Sequence, residues 1–177
     1  YHYQAYYRAF KYLNYSDSYE KFIEITHNYS IDNYLKQKFK LDDNDYNKIK
    51  SKKNKIFKDI INNLEELQLI NGADDFIEYI NNFEINHVVV TNTLLQNVNI
   101  YKQKCPKLNK LKNWITKDDY INSKPSFECY ELAKKQYFKN EKYIIGFENS
   151  INGYNALRTI TSINYFICNK NYIYLDN

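Results

Sequence analysis

"HVVVTNT", residues 87 to 93, decides how the chain is to be read. Three β-branched residues in succession, rather than at every second position, suit a strand buried on both faces, as in a parallel sheet. The run breaks at Thr91, Asn92 and Thr93 and passes into the helical pattern "LLQNVNIYKQK". A strand, a polar turn and a helix in that order make one unit of an α/β fold.

Working towards the C-terminus, the unit repeats. A short strand is predicted at Trp114-Ile115, then a Lys-Pro loop and a helix from Phe127 to Phe138. A further strand is expected over Tyr143 to Gly146, a helix over Ile151 to Arg158, and a last strand in "INYFIC" from Ile163 to Cys168. This alternation predicts a Rossmann-like, doubly wound parallel-sheet core.

Working towards the N-terminus, the pattern is helical. Tyr3, Tyr6, Tyr7, Phe10 and Leu13 recur at three- and four-residue steps, as do Tyr19, Phe22, Ile23 and Thr26 behind the capping residues Ser16 to Ser18. Ile31, Leu35 and Phe39 mark a third helix, and Tyr46, Ile49, Ile56, Ile60 and Leu64 a longer fourth. The Asn71-Gly72 turn separates the two characters, followed by an amphipathic helix over Ala73 to Asn82. The expected organisation is an α-helical segment over residues 1–72 and an α/β core over residues 73–177.

Composition narrows the functional classes. The 44% hydrophobic fraction can build a core, and 25 basic against 21 acidic residues leave a net charge of only +4. Arg8 and Arg158 are the only arginines, which argues against a nucleic-acid partner because phosphate backbones are usually gripped by guanidinium forks. The 20 tyrosines accompany abundant Asn, Lys and Ile, so AT-rich codon usage accounts for them without a binding surface. Cys105, Cys129 and Cys168 are odd in number and widely spaced, which suits a reducing, cytoplasmic compartment and no disulfide framework. Apolar runs such as Val88 to Val90 fall far short of the roughly 18 residues that span a bilayer, so no membrane partner is expected. No basic region followed by an apolar block opens the chain, so no signal peptide is expected.

In an open parallel sheet, ligands bind beyond the carboxyl ends of the strands. Thr91 and Asn92 stand at the first such end, where a hydroxyl and the N–H groups of a helix start can cradle phosphate; an ordinary N-cap is the alternative. Lys124 precedes Pro125, which holds it in an extended loop where it could neutralise a phosphoryl oxygen; otherwise it is a surface lysine. Asp118 and Asp119 read as caps and solvated acids. Glu148 and Asn149 follow the third strand and offer the hard oxygen donors that Mg²⁺ prefers, if they are not simply a turn.

The order of these pieces resembles the haloacid dehalogenase-like hydrolases, in the subgroup with a helical cap that includes β-phosphoglucomutase-like and phosphoglycolate phosphatase-like enzymes. "VVVTNT" is similar to that family's second motif, "SKPSFECYELAKK" to its third and "YIIGFENSINGYNAL" to its fourth, while "YHYQAYYRAF" resembles the entry to the cap. The resemblance implies phosphoryl transfer through an aspartyl-phosphate on a small phosphorylated metabolite, by a Mg²⁺-dependent phosphoric monoester hydrolase or phosphomutase. It implies Thr91 and Lys124 as catalytic residues, with Thr91, Asn92 and Lys124 binding phosphate. Glu148 and Asn149 would support the metal.

Two departures qualify it. No Asp-x-Asp-x-Thr occurs in these residues, and "LDDNDYN" at 41 to 47 follows no strand. The family carries that motif on a central strand before the cap, so about twenty residues are expected ahead of Tyr1. Asn149 stands where the family usually has an aspartate, which removes one negative charge from the metal site. A catalytically inactive relative serving as a binding or interaction module is therefore the alternative. Substrate identity and oligomeric state leave no mark in the sequence.

Overall fold

The computed structural model describes residues 1–28 and 30–167. The expected end of the last strand at Cys168 lies outside the described residues. The chain forms two compact units, Tyr1–Asn63 and Leu64–Ile167.

Four helices make the first unit: α1 (His2–Phe10), α2 (Tyr19–Asn28), α3 (Ile31–Phe39) and α4 (Asp43–Asn62). Their starts follow local chemistry. Ser18 Oγ accepts from the Lys21 N–H, Ser30 from Asn33 and Asp42 from Asp45, each satisfying an otherwise orphaned donor of a first turn. The fourth helix ends at Asn62 rather than reaching Leu64. Phe10, Leu35 and Tyr46 are almost wholly buried, and Tyr6, Ala9, Tyr15, Phe22 and Ile49 complete their cluster.

Tyrosine in such a core brings a hydroxyl that needs a partner. Asp32 supplies one for two of them, accepting from Tyr46 at 2.6 Å and Tyr6 at 3.3 Å, and it also pairs with Lys50 at 2.5 Å. Burial alone would raise the Asp32 carboxyl. The bonds from Lys50 and Tyr46 outweigh burial and hold it below the usual carboxylate range.

The second unit contains α5 (Ala73–Asn82), β1 (Val89–Val90), α6 (Leu95–Lys104), β2 (Trp114–Ile115), α7 (Glu128–Tyr137), β3 (Ile145–Glu148), α8 (Ile151–Leu157) and β4 (Ile163–Phe166). Among the described residues the strands form two parallel pairs, β1 with β2 and β3 with β4. Val88 to Val90 are half-buried rather than covered on both faces. β3 runs two residues beyond the expected Gly146, so Glu148 is the last residue of the strand rather than lying in the turn after it. Its side chain can be buried there because the carboxylate is paired with Lys124 and hydrogen-bonded, as described below.

β3 alternates strictly. Gly146 and Glu148 are buried towards α8, and a Cβ at Gly146 would come within 2.5 Å of the Leu157 side chain. Ile145 and Phe147 stand on the exposed face beside Ile163 and Tyr165 of β4, and Phe147 stacks on Tyr165 with centroids 5.3 Å apart. The core lies under α7 and α8, built from Ile115, Tyr120, Cys129, Tyr130, Ala133, Ala156 and Leu157. Cys105 and Cys129 are free and buried. No helix among the described residues is long and apolar enough to cross a membrane.

Replacing Asp32 by Asn should lower stability by about 2 kcal/mol at pH 7, because the Lys50 cation loses its counter-charge and two buried hydroxyls lose a charged acceptor. The folded-state carboxyl is depressed, so this contribution is complete above the unfolded value near 4 and disappears as pH falls through the folded value. Chemical denaturation of both proteins at pH 7 and at pH 3 should show the gap shrinking in acid; an equal gap at both would refute the assignment.

Candidate functional site

All five residues singled out from the sequence line one cavity of about 440 Å³: Thr91, Asn92, Lys124, Glu148 and Asn149. It opens at the carboxyl ends of β1 and β3, with Ser150 at the start of α8 on its wall. The strands place the residues there. Val89 and Thr91 donate from their N–H groups to the Asn113 and Ile115 carbonyls of the neighbouring strand, which leaves Thr91 at the mouth.

Each polar side chain has a defined neighbour. Thr91 Oγ1 accepts from the Thr93 N–H at 3.1 Å, a turn that leaves the hydroxyl hydrogen to donate. The Asn92 side-chain carbonyl lies 2.6 Å from the Tyr120 hydroxyl and accepts from the Lys124 N–H at 3.4 Å. That amide therefore ties the β1 loop to the loop carrying Lys124, and Tyr120 adds a contact to the Thr91 carbonyl at 2.9 Å. The Lys124-Pro125 peptide bond is cis.

Lys124 and Glu148 form a buried ion pair, their side chains 9% and 8% exposed. The ammonium also donates to the Val90 carbonyl at 3.0 Å and to the Tyr130 hydroxyl at 2.8 Å. Tyr130 in turn donates to the same Glu148 oxygen as Lys124. Burial first, and then the negative Glu148, pushes the Tyr130 phenol well above its ordinary value, so it stays protonated and keeps donating. The second Glu148 oxygen accepts from the Asn149 N–H at 3.1 Å.

Gly153 completes the cradle. It sits in the first turn of α8, its N–H bonded to Ser150 Oγ at 3.1 Å, and a Cβ there would fall on the Glu148 carboxylate. Only glycine lets the helix close over that side chain. Tyr120, Tyr130 and Gly153 were not among the residues singled out from the sequence. With 20 tyrosines in the chain, two with site roles carry no compositional signal, while Gly153 stood in the quoted fourth-motif stretch. Asp118 and Asp119 are caps: Asp118 accepts from the Leu95 N–H at the start of α6, and Asp119 from the N–H and hydroxyl of Thr116.

The profile of the haloacid dehalogenase-like hydrolases matches residues 1–160. The chain belongs to that family. Its fold is that of solved relatives: a family IA, variant 3 hydrolase of Entamoeba histolytica has a TM-score of 0.71 at 19% identity, over 90% of this chain and 73% of that one. CbbY of Rhodobacter sphaeroides, solved with phosphate and, as a mutant, with xylulose-1,5-bisphosphate, has a TM-score of 0.71 at 20% identity, over 89% and 74%. A Thermotoga maritima protein provisionally named a β-phosphoglucomutase gives 0.67 at 16% identity, over 99% and 80%. The sequence finds no significant match among curated proteins.

As a haloacid dehalogenase-like chain, this protein presents one carboxylate and one amide as its metal-type donors. Among the described residues no group of three or more His, Cys, Asp or Glu side chains is arranged to hold a metal ion. Mg²⁺ is commonly held by one or two protein oxygens with phosphate and water making up the rest, so Glu148 and Asn149 fit it as a partial donor set.

Gly153→Ala should drive the Glu148 carboxylate out of its seat and break its pairing with Lys124. A loss of about 3 kcal/mol in stability, read by denaturant unfolding, is the expected outcome for disrupting a buried charge pair. A variant as stable as the parent would refute the cradle.

Proposed function

We propose that the chain acts as a phosphatase or phosphotransferase on a small phosphorylated metabolite, by way of an aspartyl-phosphate whose aspartate lies outside these 177 residues. The observation that carries this reading is the meeting of Thr91, Asn92, Lys124, Glu148 and Asn149 around one cavity. The helical unit is proposed as a cap that chooses the substrate.

In this reading the Thr91 hydroxyl and the Asn92 backbone N–H bind phosphate oxygens. Lys124 stabilises charge on the nucleophile and on the transferring group. Loose phosphoryl-transfer transition states spread charge over the equatorial oxygens, so fixed donors and a fixed cation supply most of what the protein can add. Glu148 holds the ammonium at the strand end, and Tyr120 with Asn92 holds the two loops in register. Glu148 and Asn149 would hold Mg²⁺, which when bound contributes charge neutralisation at the phosphoryl oxygens. The buried free thiols Cys105 and Cys129 support a reducing, cytoplasmic setting.

One observation favours a second reading, a non-catalytic binding module: Asn149 offers the cavity an amide where an aspartate would add a negative charge for a metal. The two readings separate in one assay. The protein carrying its aspartate motif should hydrolyse an aryl phosphate in the presence of Mg²⁺, and Lys124→Ala should reduce kcat/KM by at least about a hundredfold, as for loss of a transition-state donor. Undiminished turnover in Lys124→Ala would sink the role of that lysine, and no turnover in the parent would favour the binding module. Asn149→Asp should restore a negative charge and lower the Mg²⁺ concentration needed for half-maximal activity; an unchanged or higher requirement would remove Asn149 from the metal site.

A further inference from the structure

A lysine ammonium has three N–H donors and no acceptor. Lys124 places all three inside the protein, on the Val90 carbonyl at 3.0 Å, the Tyr130 hydroxyl at 2.8 Å and Glu148 Oε1. A phosphoryl oxygen entering the cavity therefore meets a lysine with every donor in use, and one internal partner has to give way.

The three partners are not equivalent. Glu148 is the counter-charge, and parting it from Lys124 would leave a buried carboxylate without its cation. Val90 is a strand residue whose neighbours Val89 and Thr91 point their N–H groups at β2, so its own carbonyl faces the other way and takes its proton from Lys124. Withdrawing that donor would remove the partner this carbonyl has among the described residues. Tyr130 is different. It is neutral, and its own hydrogen goes to Glu148, a bond that survives when Lys124 turns away. Its oxygen gives up only an incoming N–H.

We propose that Tyr130 is a positioning residue for Lys124, its hydroxyl oxygen occupying the N–H that an incoming phosphate oxygen takes over while its hydrogen stays on Glu148. The inference rests on the phosphate-binding reading of the cavity given above. Tyr130 holds the ammonium aimed while the cavity is empty and is exchanged for the ligand when it fills.

Inorganic phosphate titrated calorimetrically into the parent protein, Tyr130→Phe and Lys124→Ala tests this. Tyr130→Phe removes the competing acceptor and keeps the ring, so it should bind phosphate at least about tenfold more tightly, the worth of one hydrogen bond to a charged group. A merely structural tyrosine would give weaker binding on removal of its hydroxyl. Equal or weaker binding by a Tyr130→Phe protein whose thermal unfolding matches the parent would overturn the proposal. The parent supplies a second readout that needs no variant. NMR of isotopically labelled tyrosine should show the Tyr130 ring signal moving in step with phosphate saturation; a signal that stays put while phosphate binds also overturns it. Phosphate binding that is lost in Lys124→Ala but indifferent to Tyr130 defeats this role alone. No phosphate binding by the parent defeats the reading of the cavity together with it.

Discussion

Lys124 and Glu148 lie side by side with less than a tenth of either side chain exposed. Two charges taken that far from water are tolerated only when paired and when their remaining donors and acceptors are satisfied, since each alone would cost several kcal/mol. Much of the second unit can be understood as meeting that condition. Tyr130 on α7 bridges the pair, Val90 on β1 accepts the last ammonium proton, and the Asn149 N–H occupies the other carboxylate oxygen. Gly153 on α8 omits the one carbon that would fill the carboxylate's seat. Elements far apart in the chain are thereby held to positions set by one ion pair.

The hydrophobic pattern located the strands because burial acts on many residues at once and leaves a periodic trace. The β-branched run before Thr91 and the apolar run before Glu148 are both present as strands, paired in parallel. The register at the second of these was less legible. Burying Glu148 at the end of β3, instead of releasing it into the turn, depends on Lys124 and Tyr130, which lie 24 and 18 residues earlier in the chain. A local reading has no access to such partners and stops the strand at the glycine. Tyr120 is hidden for a related reason. Its value lies in where its hydroxyl ends up, beside the Thr91 carbonyl and the Asn92 amide, and not in its residue type.

The helical unit shows the other face of a tyrosine-rich composition. Codon usage can explain why tyrosine is frequent, but each buried phenol still has to be accommodated by the fold. Asp32 answers Tyr6 and Tyr46, and Asp17 answers Tyr34 at 2.8 Å while its backbone carbonyl accepts from Tyr3. A core of Leu and Ile in those places would need no such carboxylates. Tyrosine in this core therefore comes with half-buried carboxylate acceptors, and through Asp32 with a sensitivity to acid that an aliphatic core lacks.

In the second unit, the backbone ladders join β1 to β2 and β3 to β4, but no described ladder joins one pair to the other. What links them at the cavity is a side chain: Lys124 reaches the β1 carbonyl of Val90 with one proton and the β3 carboxylate of Glu148 with another. The ligand proposed for the cavity competes for one bond of that same ammonium. Tyr130 matters because it lets a proton be lent to the ligand without loosening either strand.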